Sequence, residues 1–221
     1  MHFQRITLVH YHELGLKGHN RATFEKRLMR NLEVLLEDAP VHEITRISGR
    51  VLVVYDAAAG ADAPAKAAQL IARVPGVARV SCGFASERNM DDICEAAHQA
   101  LGEAGDFCTW KVVGRRNHTD FPIDSMQINQ IVGEHLCGLF PDKKVKMKGA
   151  DVEVHVEVVQ GMAYVYAQTM RGVGGLPVGT AGGVPAFFGH RFARCHVAHG
   201  SPRCDVHRSA FLWTPPNSFD V

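Results

Sequence analysis

The order of strand-like and helix-like segments over the first 85 residues restricts the fold of this chain more than any other feature of its sequence. β-branched and alternating apolar residues predict four strands, at Arg5 to Tyr11, Glu43 to Ser48, Arg50 to Tyr55 and Val77 to Phe84. Apolar residues at helical spacing predict one helix after Asn20, which can cap it, and another over Ala63 to Val74. The resulting order is β-α-β-β-α-β.

This order is that of a ferredoxin-like α+β sandwich, in which two helices cover one face of an antiparallel sheet. The same patterns predict further elements in the second half: a helix at Met90 to Ala104, a strand at Phe107 to Val113, a helix at Ser125 to Leu139, and a hairpin of Val152 to Val159 with Met162 to Thr169. Asp124 or Ser125 can cap the second of these helices. We therefore predict an α+β fold with two domains, residues 1–85 and an α-β-α-β-β domain at residues 86–171.

A glycine-dense segment follows at residues 172–184 and includes the string GVGGLPVGTAGG. Glycines at this density are typical of a flexible or tightly turned connection, so we expect order to fade there. Residues 185–221 show no sustained period, and their prolines interrupt strands. We expect an irregular C-terminal tail without a stable core.

The composition is that of an ordinary globular protein, with 46% hydrophobic and 21% charged residues. No apolar run approaches the ~18 residues of a membrane span and no signal-peptide pattern begins the chain, so we expect a cytoplasmic protein without a membrane partner. The formal net charge is only +1, which requires any nucleic-acid site to be a local patch. The six cysteines contain no CxxC pair and are expected to be buried, reduced thiols.

Three groups of residues are candidate contacts for phosphate groups. One ends a predicted strand and lines the next loop: Lys111, Arg115, Arg116 and His118. A second forms a lysine-rich turn: Lys143, Lys144, Lys146 and Lys148. A third lies at a loop-to-helix junction: Lys17, Asn20 and Arg21. Such side chains reach phosphate oxygens without being buried, and free N–H groups at a helix start favour anions. Solvated loops and a helix cap are the alternative roles.

The tail also contains four residues of types that bind zinc: Cys195, His199, Cys204 and His207. Their spacing fits no standard zinc finger, so we expect no metal site. We also identify no catalytic residues, because neither a nucleophile nor convergent carboxylates accompany the histidines His10 and His12.

Three strings, in order along the chain, are similar to those of one family. YHELGLKGHNR at residues 11–21, followed by FEKRL, resembles an opening motif E-x-x-L-K-G-x-N-R. KVVGRRNHTDFPIDSMQIN and GVGGLPVGTAG resemble a stretch of a THUMP domain and the segment before a catalytic domain. The chain thus resembles the ThiI family of tRNA 4-thiouridine synthetases, or tRNA sulfurtransferases, over nearly all of residues 1–183. The resemblance implies a ferredoxin-like domain followed by a THUMP RNA-binding domain.

The resemblance also implies a function for these domains. In the family, the front end holds the acceptor end of tRNA, and a PP-loop domain uses ATP and Mg to adenylate a uridine before sulfur replaces its oxygen. In the family, a cysteine desulfurase supplies the sulfur, and the proteins also serve thiamine biosynthesis. The resemblance further implies assembly as a homodimer. Here VPAFFGHRFARC stands where the PP-loop motif SGGxDS is expected. We therefore expect a tRNA-binding module that has no cofactor of its own and is inactive alone.

Three hypotheses account for this departure or replace the expected function. Residues 185–221 could be the start of the PP-loop domain in a shifted frame, because FFGHRFARC read one nucleotide later gives SSGIDSPVA for permitted codons. A separate chain could supply the missing domain, which would make this one a subunit of a split sulfurtransferase. The chain could also be a protein-interaction module, whose sheet edge recruits another protein without RNA.

Overall fold

A computed structural model describes residues 3–11, 21–47, 49–117 and 120–180, together with the backbone of residues 184–188, 191–198 and 201–205. The helices are α1 (Arg21–Leu35), α2 (Ala63–Ile71), α3 (Met90–Gly102) and α4 (Ser125–Leu139). The strands of the main sheet are β1 (Gln4–His10), β2 (Val41–Ile47), β3 (Arg50–Tyr55), β4 (Arg79–Ser86), β5 (Thr109–Arg116), β6 (Lys144–Val145), β7 (Val152–Val158) and β8 (Ala163–Arg171). The strands after the glycine-rich segment are β9 (Val184–Phe188), β10 (Arg191–Ala198) and β11 (Ser201–Asp205).

One continuous sheet connects the two halves of the chain, in the order β2-β3-β1-β4-β8-β7-β5-β6. The first four strands are antiparallel throughout, as in a ferredoxin-like sheet. Strand β4 also pairs with β8, which extends the sheet into the second half, where β7 and β6 both run parallel to β5. The predicted α+β fold is therefore confirmed. The short strand β6 was not predicted, because two residues are too few to show an alternating pattern.

The helices cover one face of this sheet and enclose two apolar cores. In the first half, α1 and α2 pack on β1 and β3, with Leu28 and Val53 completely buried. In the second half, α3 and α4 enclose Trp110, Ile93 and Val132, which are also completely buried. In each helix, the apolar residues at helical spacing form the side that packs against the sheet. No described helix is long and apolar enough to cross a membrane.

Helix α4 has the predicted bounds, and a capping box sets its start. The Asp124 carboxylate accepts hydrogen bonds from the backbone N–H groups of Met126 and Gln127, both at 2.8 Å. The Gln127 side chain in return accepts from the Asp124 N–H at 3.1 Å. Reciprocal capping of this kind satisfies N–H groups that have no partner within the helix. Asp124, one of the two predicted capping residues, is therefore the N-cap.

Gly83 allows strands β4 and β8 to approach closely at a shift in their register. The pairing of β4 with β8 is irregular between Cys82 and Gly83. A Cβ atom at Gly83 would lie 2.6 Å from the Tyr166 Cβ and 2.8 Å from the Tyr166 Cα. The backbone at this position therefore has no room for a side chain, and the junction between the two halves requires glycine.

We expect the substitution Gly83→Ala to lower the free energy of unfolding by about 1–3 kcal/mol, because the added methyl group forces the two strands apart. Gly133→Ala is the matched control, since a Cβ atom at this position in α4 meets nothing within 4 Å. It should instead raise the stability by up to about 1 kcal/mol through helix propensity. Urea unfolding of both variants measures the difference, and equal effects would contradict the proposed crowding at Gly83.

Residues 172–180 of the glycine-rich segment lie directly against the first half of the chain. Their backbone bonds to the first half of the chain, from Gly172 N–H to Ala78 O at 2.9 Å and from Gly174 N–H to Val77 O at 2.7 Å. At Gly172 a Cβ atom would lie 2.8 Å from the carbonyl carbon of Val77. Of the two expected kinds of connection, flexible or tightly turned, residues 172–180 form the tightly turned one, because glycine allows close approach of the backbone.

The described residues after the glycine-rich segment form three short strands. β9, β10 and β11 form a separate antiparallel sheet with β10 in the centre. The prolines that argued against strands, Pro185 and Pro202, both lie in the outer strands. Outer strands tolerate proline because one side of their backbone needs no ladder hydrogen bond.

Candidate nucleic-acid interface

A row of basic side chains crosses the face of the sheet on which none of the described helices lies, here called the helix-free face. The register places His10 of β1 opposite both Arg50 of β3 and Arg79 of β4, and Arg79 opposite Arg171 of β8. Directly opposed residues of antiparallel strands point to the same face. Arg50 and Leu52 are two residues apart in β3, so their side chains lie on the same face of the sheet. Leu52 belongs to an apolar cluster that does not include the residues packed against α1 and α2, so this face is the one opposite the helices. We call His10, Arg50, Arg79 and Arg171 the basic row.

The helix-free face is concave, because residues of distant strands meet across it. Arg50 on β3 forms an ion pair with Glu157 on β7, although three strands lie between them. In a flat sheet these strands would be about 19 Å apart, farther than the two side chains reach. The sheet must therefore curl so that its two halves face each other. This curvature explains why the apolar residues Ile6 and Leu8 are completely buried on the same face.

The floor of the concave face is built around Glu157. Its carboxylate is only 2% exposed, and it accepts a hydrogen bond from the Tyr166 hydroxyl at 2.8 Å in addition to the ion pair with Arg50. The Tyr166 ring stacks on His155, with ring centroids 4.9 Å apart. Burial lowers the pKa of His155, and the charges of Arg79 and Arg115 lower it further against the opposing effect of Glu153. The pKa of His155 thus lies below its ordinary value, and the ring stands near the positive charges of Arg79, Arg115 and Lys111.

Two arginines of this face have no acidic partner. Lys111 is paired with Glu153 at 2.8 Å and Arg50 with Glu157. Among the described residues, no carboxylate lies within ion-pair distance of Arg79 or Arg115. The Nε atom of Arg79 is also buried without a hydrogen-bond partner in the described part of the chain. A local excess of positive charge therefore exists despite the nearly neutral composition, and its chemistry suits phosphate groups.

The structure separates the residues that the sequence grouped as phosphate contacts. Lys111 and Arg115 lie on the helix-free face, in register with Glu153 and Glu157. Arg116 points the other way and donates a hydrogen bond to the Phe121 carbonyl oxygen at 2.9 Å, so it anchors its own loop. Lys17, Asn20 and His118 lie outside the described residues.

The lysine-rich turn lies at the opposite end of strand β5. Lys144 is in register with Thr109, six residues before Arg115, which corresponds to about 20 Å along a strand. Lys143 places its ammonium group 5.0 Å from the centre of the Phe107 ring. The lysines and Arg115 therefore do not form one patch, and contact between the lysines and RNA stays a prediction.

Arg21 takes part in a buried network at the start of α1. Its Nε atom donates to the buried carboxylate of Glu25 at 2.7 Å, which also accepts from the Tyr11 hydroxyl at 2.6 Å and from Arg46 at 2.7 Å. Burial alone would raise the pKa of Glu25, but the hydrogen bonds from Tyr11, Arg21 and Arg46 lower it overall. Burial and the bond to Glu25 raise the pKa of Tyr11 to about 12. Arg21 thus has a structural role that its exposed position did not suggest.

The lowered pKa of Glu25 predicts that its contribution to stability depends on pH. The contribution is complete above the ordinary glutamate pKa of 4.5 and is lost as the pH falls through the lower value of the folded state. The stability difference between the wild type and Glu25→Gln should therefore shrink below about pH 4.5. Asp62→Asn is the control, because the exposed ion pair of Asp62 with Lys66 should contribute little at any pH. Urea unfolding between pH 7 and pH 3 measures both, and a constant difference for Glu25→Gln would contradict the network.

The remaining candidates concern cysteine and metal chemistry. The expectation of buried thiols holds for Cys94, whereas Cys82 is partly buried and Cys108 and Cys137 are exposed. Within the described residues, no group of three or more histidine, cysteine, aspartate or glutamate side chains is placed to hold a metal ion. Of the four zinc-type residues, Cys195 and Cys204 are opposite each other in the register of β10 and β11, and the two histidines, His199 and His207, lie outside the described residues.

Comparison with known proteins identifies the two domains. The family model of the ThiI ferredoxin-like domain matches residues 6–81, and that of the THUMP domain matches residues 87–168. The chain carries a ThiI ferredoxin-like domain followed by a THUMP domain. A probable tRNA sulfurtransferase of Streptococcus sanguinis (strain SK36) is 32% identical over 176 residues, which are 79% of this chain and 43% of the relative. One of Oceanobacillus iheyensis is 34% identical over 182 residues, with 82% and 44% covered. This chain thus spans less than half the length of these curated relatives.

Solved structures show the same arrangement of domains. PH1313 from Pyrococcus horikoshii OT3 is 32% identical, with a TM-score of 0.71 over 80% of this chain and 58% of that one. A 4-thiouridine synthetase, solved as an RNA complex with bound ATP, is 27% identical, with a TM-score of 0.70 over 81% of this chain and 45% of that one. TrmN from Thermus thermophilus, at 20% identity and a TM-score of 0.51, shares the fold alone. The order of domains predicted from the ThiI resemblance is confirmed.

Proposed function

We propose that this chain binds tRNA through its helix-free face and forms the tRNA-recognition part of a ThiI-family sulfurtransferase. The observation that carries the proposal is the pair of arginines, Arg79 and Arg115, which lack acidic partners beside a concave surface. Arginine recognises phosphate oxygens through several N–H groups in a fixed plane. The match to a THUMP domain and the similarity to a 4-thiouridine synthetase solved with RNA support tRNA as the ligand.

The shape of the face favours the end of an RNA over the middle of a helix. The major groove of an A-form stem is too deep and narrow for side chains to read, whereas a single-stranded end can enter a concave surface. The tyrosines of the floor, Tyr164 and Tyr166, are buried, and Arg115 and Arg171 are exposed. We therefore propose recognition of the acceptor end by charge and shape rather than by stacking of bases on the tyrosines.

Binding of tRNA by the whole chain tests the proposal. Fluorescence anisotropy should show tighter binding of tRNA than of the same tRNA without its single-stranded 3′ end, or of a blunt unrelated duplex. The logarithm of the affinity should fall linearly with the logarithm of the salt concentration. Equal affinity for tRNA and the unrelated duplex would overturn acceptor-end recognition. Binding that does not respond to salt would overturn the role of phosphate contacts.

Under the same proposal, sulfur transfer requires a catalytic domain in addition to the two domains that match the family models. ATP phosphates are usually held by N–H groups of a glycine-rich turn between a strand and a helix. The strands described after Thr180 form antiparallel pairs, and no helix is described among them. We therefore assign ATP, Mg and any role in thiamine biosynthesis to a PP-loop domain of the family, supplied by a longer or separate chain. Thiolation of tRNA by this chain alone, with ATP, Mg²⁺ and sulfide, would overturn this assignment.

Two further partners follow from the family resemblance as proposals. One is a second copy of the chain, which light scattering of the purified protein tests directly. The other is a cysteine desulfurase, which would deliver sulfur to the catalytic domain. If this chain pulls down a cysteine desulfurase, the contact lies on the two domains described here. If the desulfurase binds only to longer relatives, the contact lies on another domain.

A further inference from the structure

A second basic surface lies on the other side of the first half, beside helix α1. A groove of about 510 Å³ runs between α1 and the turn at residues 178–180. Among the described residues, its lining contains three positive side chains, two threonine hydroxyl groups and no carboxylate: Thr23, Phe24, Lys26, Arg27, Arg30, Gly179 and Thr180. None of these side chains belongs to the concave helix-free face. Binding at the helix-free face therefore does not account for this groove.

The positive charges of the groove lie along one stripe of α1. Lys26 and Arg30 are four residues apart, with Arg27 beside them, and all three line the groove. None of the three forms an ion pair with a described carboxylate. Like charges at this spacing destabilise a helix. An unneutralised stripe of this kind is the arrangement expected where an anionic ligand supplies the missing charge.

The groove is held in shape by contacts between the helix and the turn. Arg27 donates from Nε to the Val178 carbonyl oxygen at 2.9 Å, and Asn31 donates to the same oxygen at 3.3 Å. The Thr180 hydroxyl closes the turn by donating to the Pro177 carbonyl oxygen at 2.7 Å. Gly179 has a φ of +88°, and a Cβ atom there would lie 2.6 Å from the Cζ of Arg27. The turn thus fits around the arginine and requires glycine.

We propose that this groove binds backbone phosphates of the double-stranded part of the RNA whose end occupies the helix-free face. The proposal rests on the proposed function. Because α1 covers the opposite face of the sheet from the basic row, one single-stranded end cannot fill both surfaces. The double-stranded stem of the same RNA continues away from the single-stranded end, so its backbone phosphates can reach the groove while the end occupies the helix-free face. Lysine and arginine contact such phosphates without reading the base sequence.

The test compares two double variants that remove the same charge. Lys26→Gln with Arg30→Gln changes the groove, whereas Lys66→Gln with Arg73→Gln removes two exposed charges near α2. The groove variant should bind tRNA at least tenfold more weakly and lower the log–log salt slope by about 1.8, that is, about 0.9 per lost contact. Its melting temperature should stay the same or rise, because repulsion within the helix is relieved. The control variant should keep both the wild-type affinity and the wild-type slope.

A second variant and a second ligand separate the possible outcomes. Gly179→Ala removes no charge but displaces Arg27, so it should also weaken tRNA binding. If wild-type protein binds tRNA and the groove variant binds it equally well, the groove proposal is wrong while the proposed function stands. If wild-type protein does not bind tRNA, the proposed function itself fails. Tight binding of sodium tripolyphosphate that Lys26→Gln with Arg30→Gln abolishes, without a change in the RNA salt slope, would assign the groove to a small polyphosphate and overturn RNA.

Discussion

Replacing Arg79 and Arg115 together by glutamine should weaken tRNA binding by about tenfold to a hundredfold at physiological salt. The loss of two phosphate contacts should also lower the log–log salt slope by about 1.4 to 1.8. Both arginines lie on the helix-free face, and no carboxylate in the described part of the chain pairs with them, so under the proposed function their charge acts on the RNA phosphates. Fluorescence anisotropy with labelled tRNA over a range of salt concentrations measures both quantities.

Two comparisons test whether position or charge alone causes this effect. Arg79→Lys with Arg115→Lys keeps the charge and should retain most of the salt slope, with some loss of affinity because lysine binds phosphate as a point charge. Lys143→Gln with Lys144→Gln removes two charges at the other end of β5, about 20 Å from Arg115, and should have a smaller effect. A larger effect of the lysine variant would place the main contact on the lysine-rich turn and contradict the helix-free face.

The difference between these two groups shows what local sequence can and cannot predict. Arg115 could be found because it stands in a short basic string, and the lysines could be found for the same reason. Arg79 stands alone in an apolar strand and has no basic neighbours in sequence. It joins His10 and Arg50 only through strand pairing, which brings together residues about 30 to 70 positions apart. A composition or spacing argument cannot detect such a row.

The fold was more predictable than the site because its elements follow from short-range patterns. The stripe of α4 and its cap at Asp124 are encoded within about fifteen residues, and the structure gives the predicted bounds. The β-α-β-β-α-β order was likewise sufficient to predict the first four strands of the sheet. The joining of β4 to β8 depends instead on Gly83, whose need for close approach is visible only when both strands are placed.

The packing of the glycine-rich segment could not be predicted from local sequence, for a related physical reason. Glycine lowers the order of an isolated chain, but here it lets the backbone of residues 172–180 lie directly against the first half. Val178 then becomes the acceptor for Arg27, and the segment forms one wall of the groove beside α1. The connection after the THUMP domain is thus part of the surface that the protein offers to ligands.

The ion pair of Arg50 with Glu157 joins the two halves across the concave face, and breaking it should cause the largest loss of stability. We expect Glu157→Ala to lower the free energy of unfolding by about 3–5 kcal/mol, because it leaves Arg50 largely buried without a counter-charge. It also removes the acceptor of the Tyr166 hydroxyl, which is buried. The melting temperature should fall by roughly 10 °C, measured by calorimetry or circular dichroism.

A double-mutant cycle separates the ion pair from simple packing. Arg50→Met with Glu157→Leu removes both charges and fills the space with apolar groups, so it should be much less destabilising than Glu157→Ala alone. Glu157→Gln keeps an acceptor for Tyr166 but loses the charge, and should fall between the two. If the double variant is as unstable as the sum of Arg50→Met and Glu157→Leu measured singly, the two residues are not coupled. The curl of the sheet would then have to be maintained by the apolar contacts of Ile6, Leu8 and Tyr164.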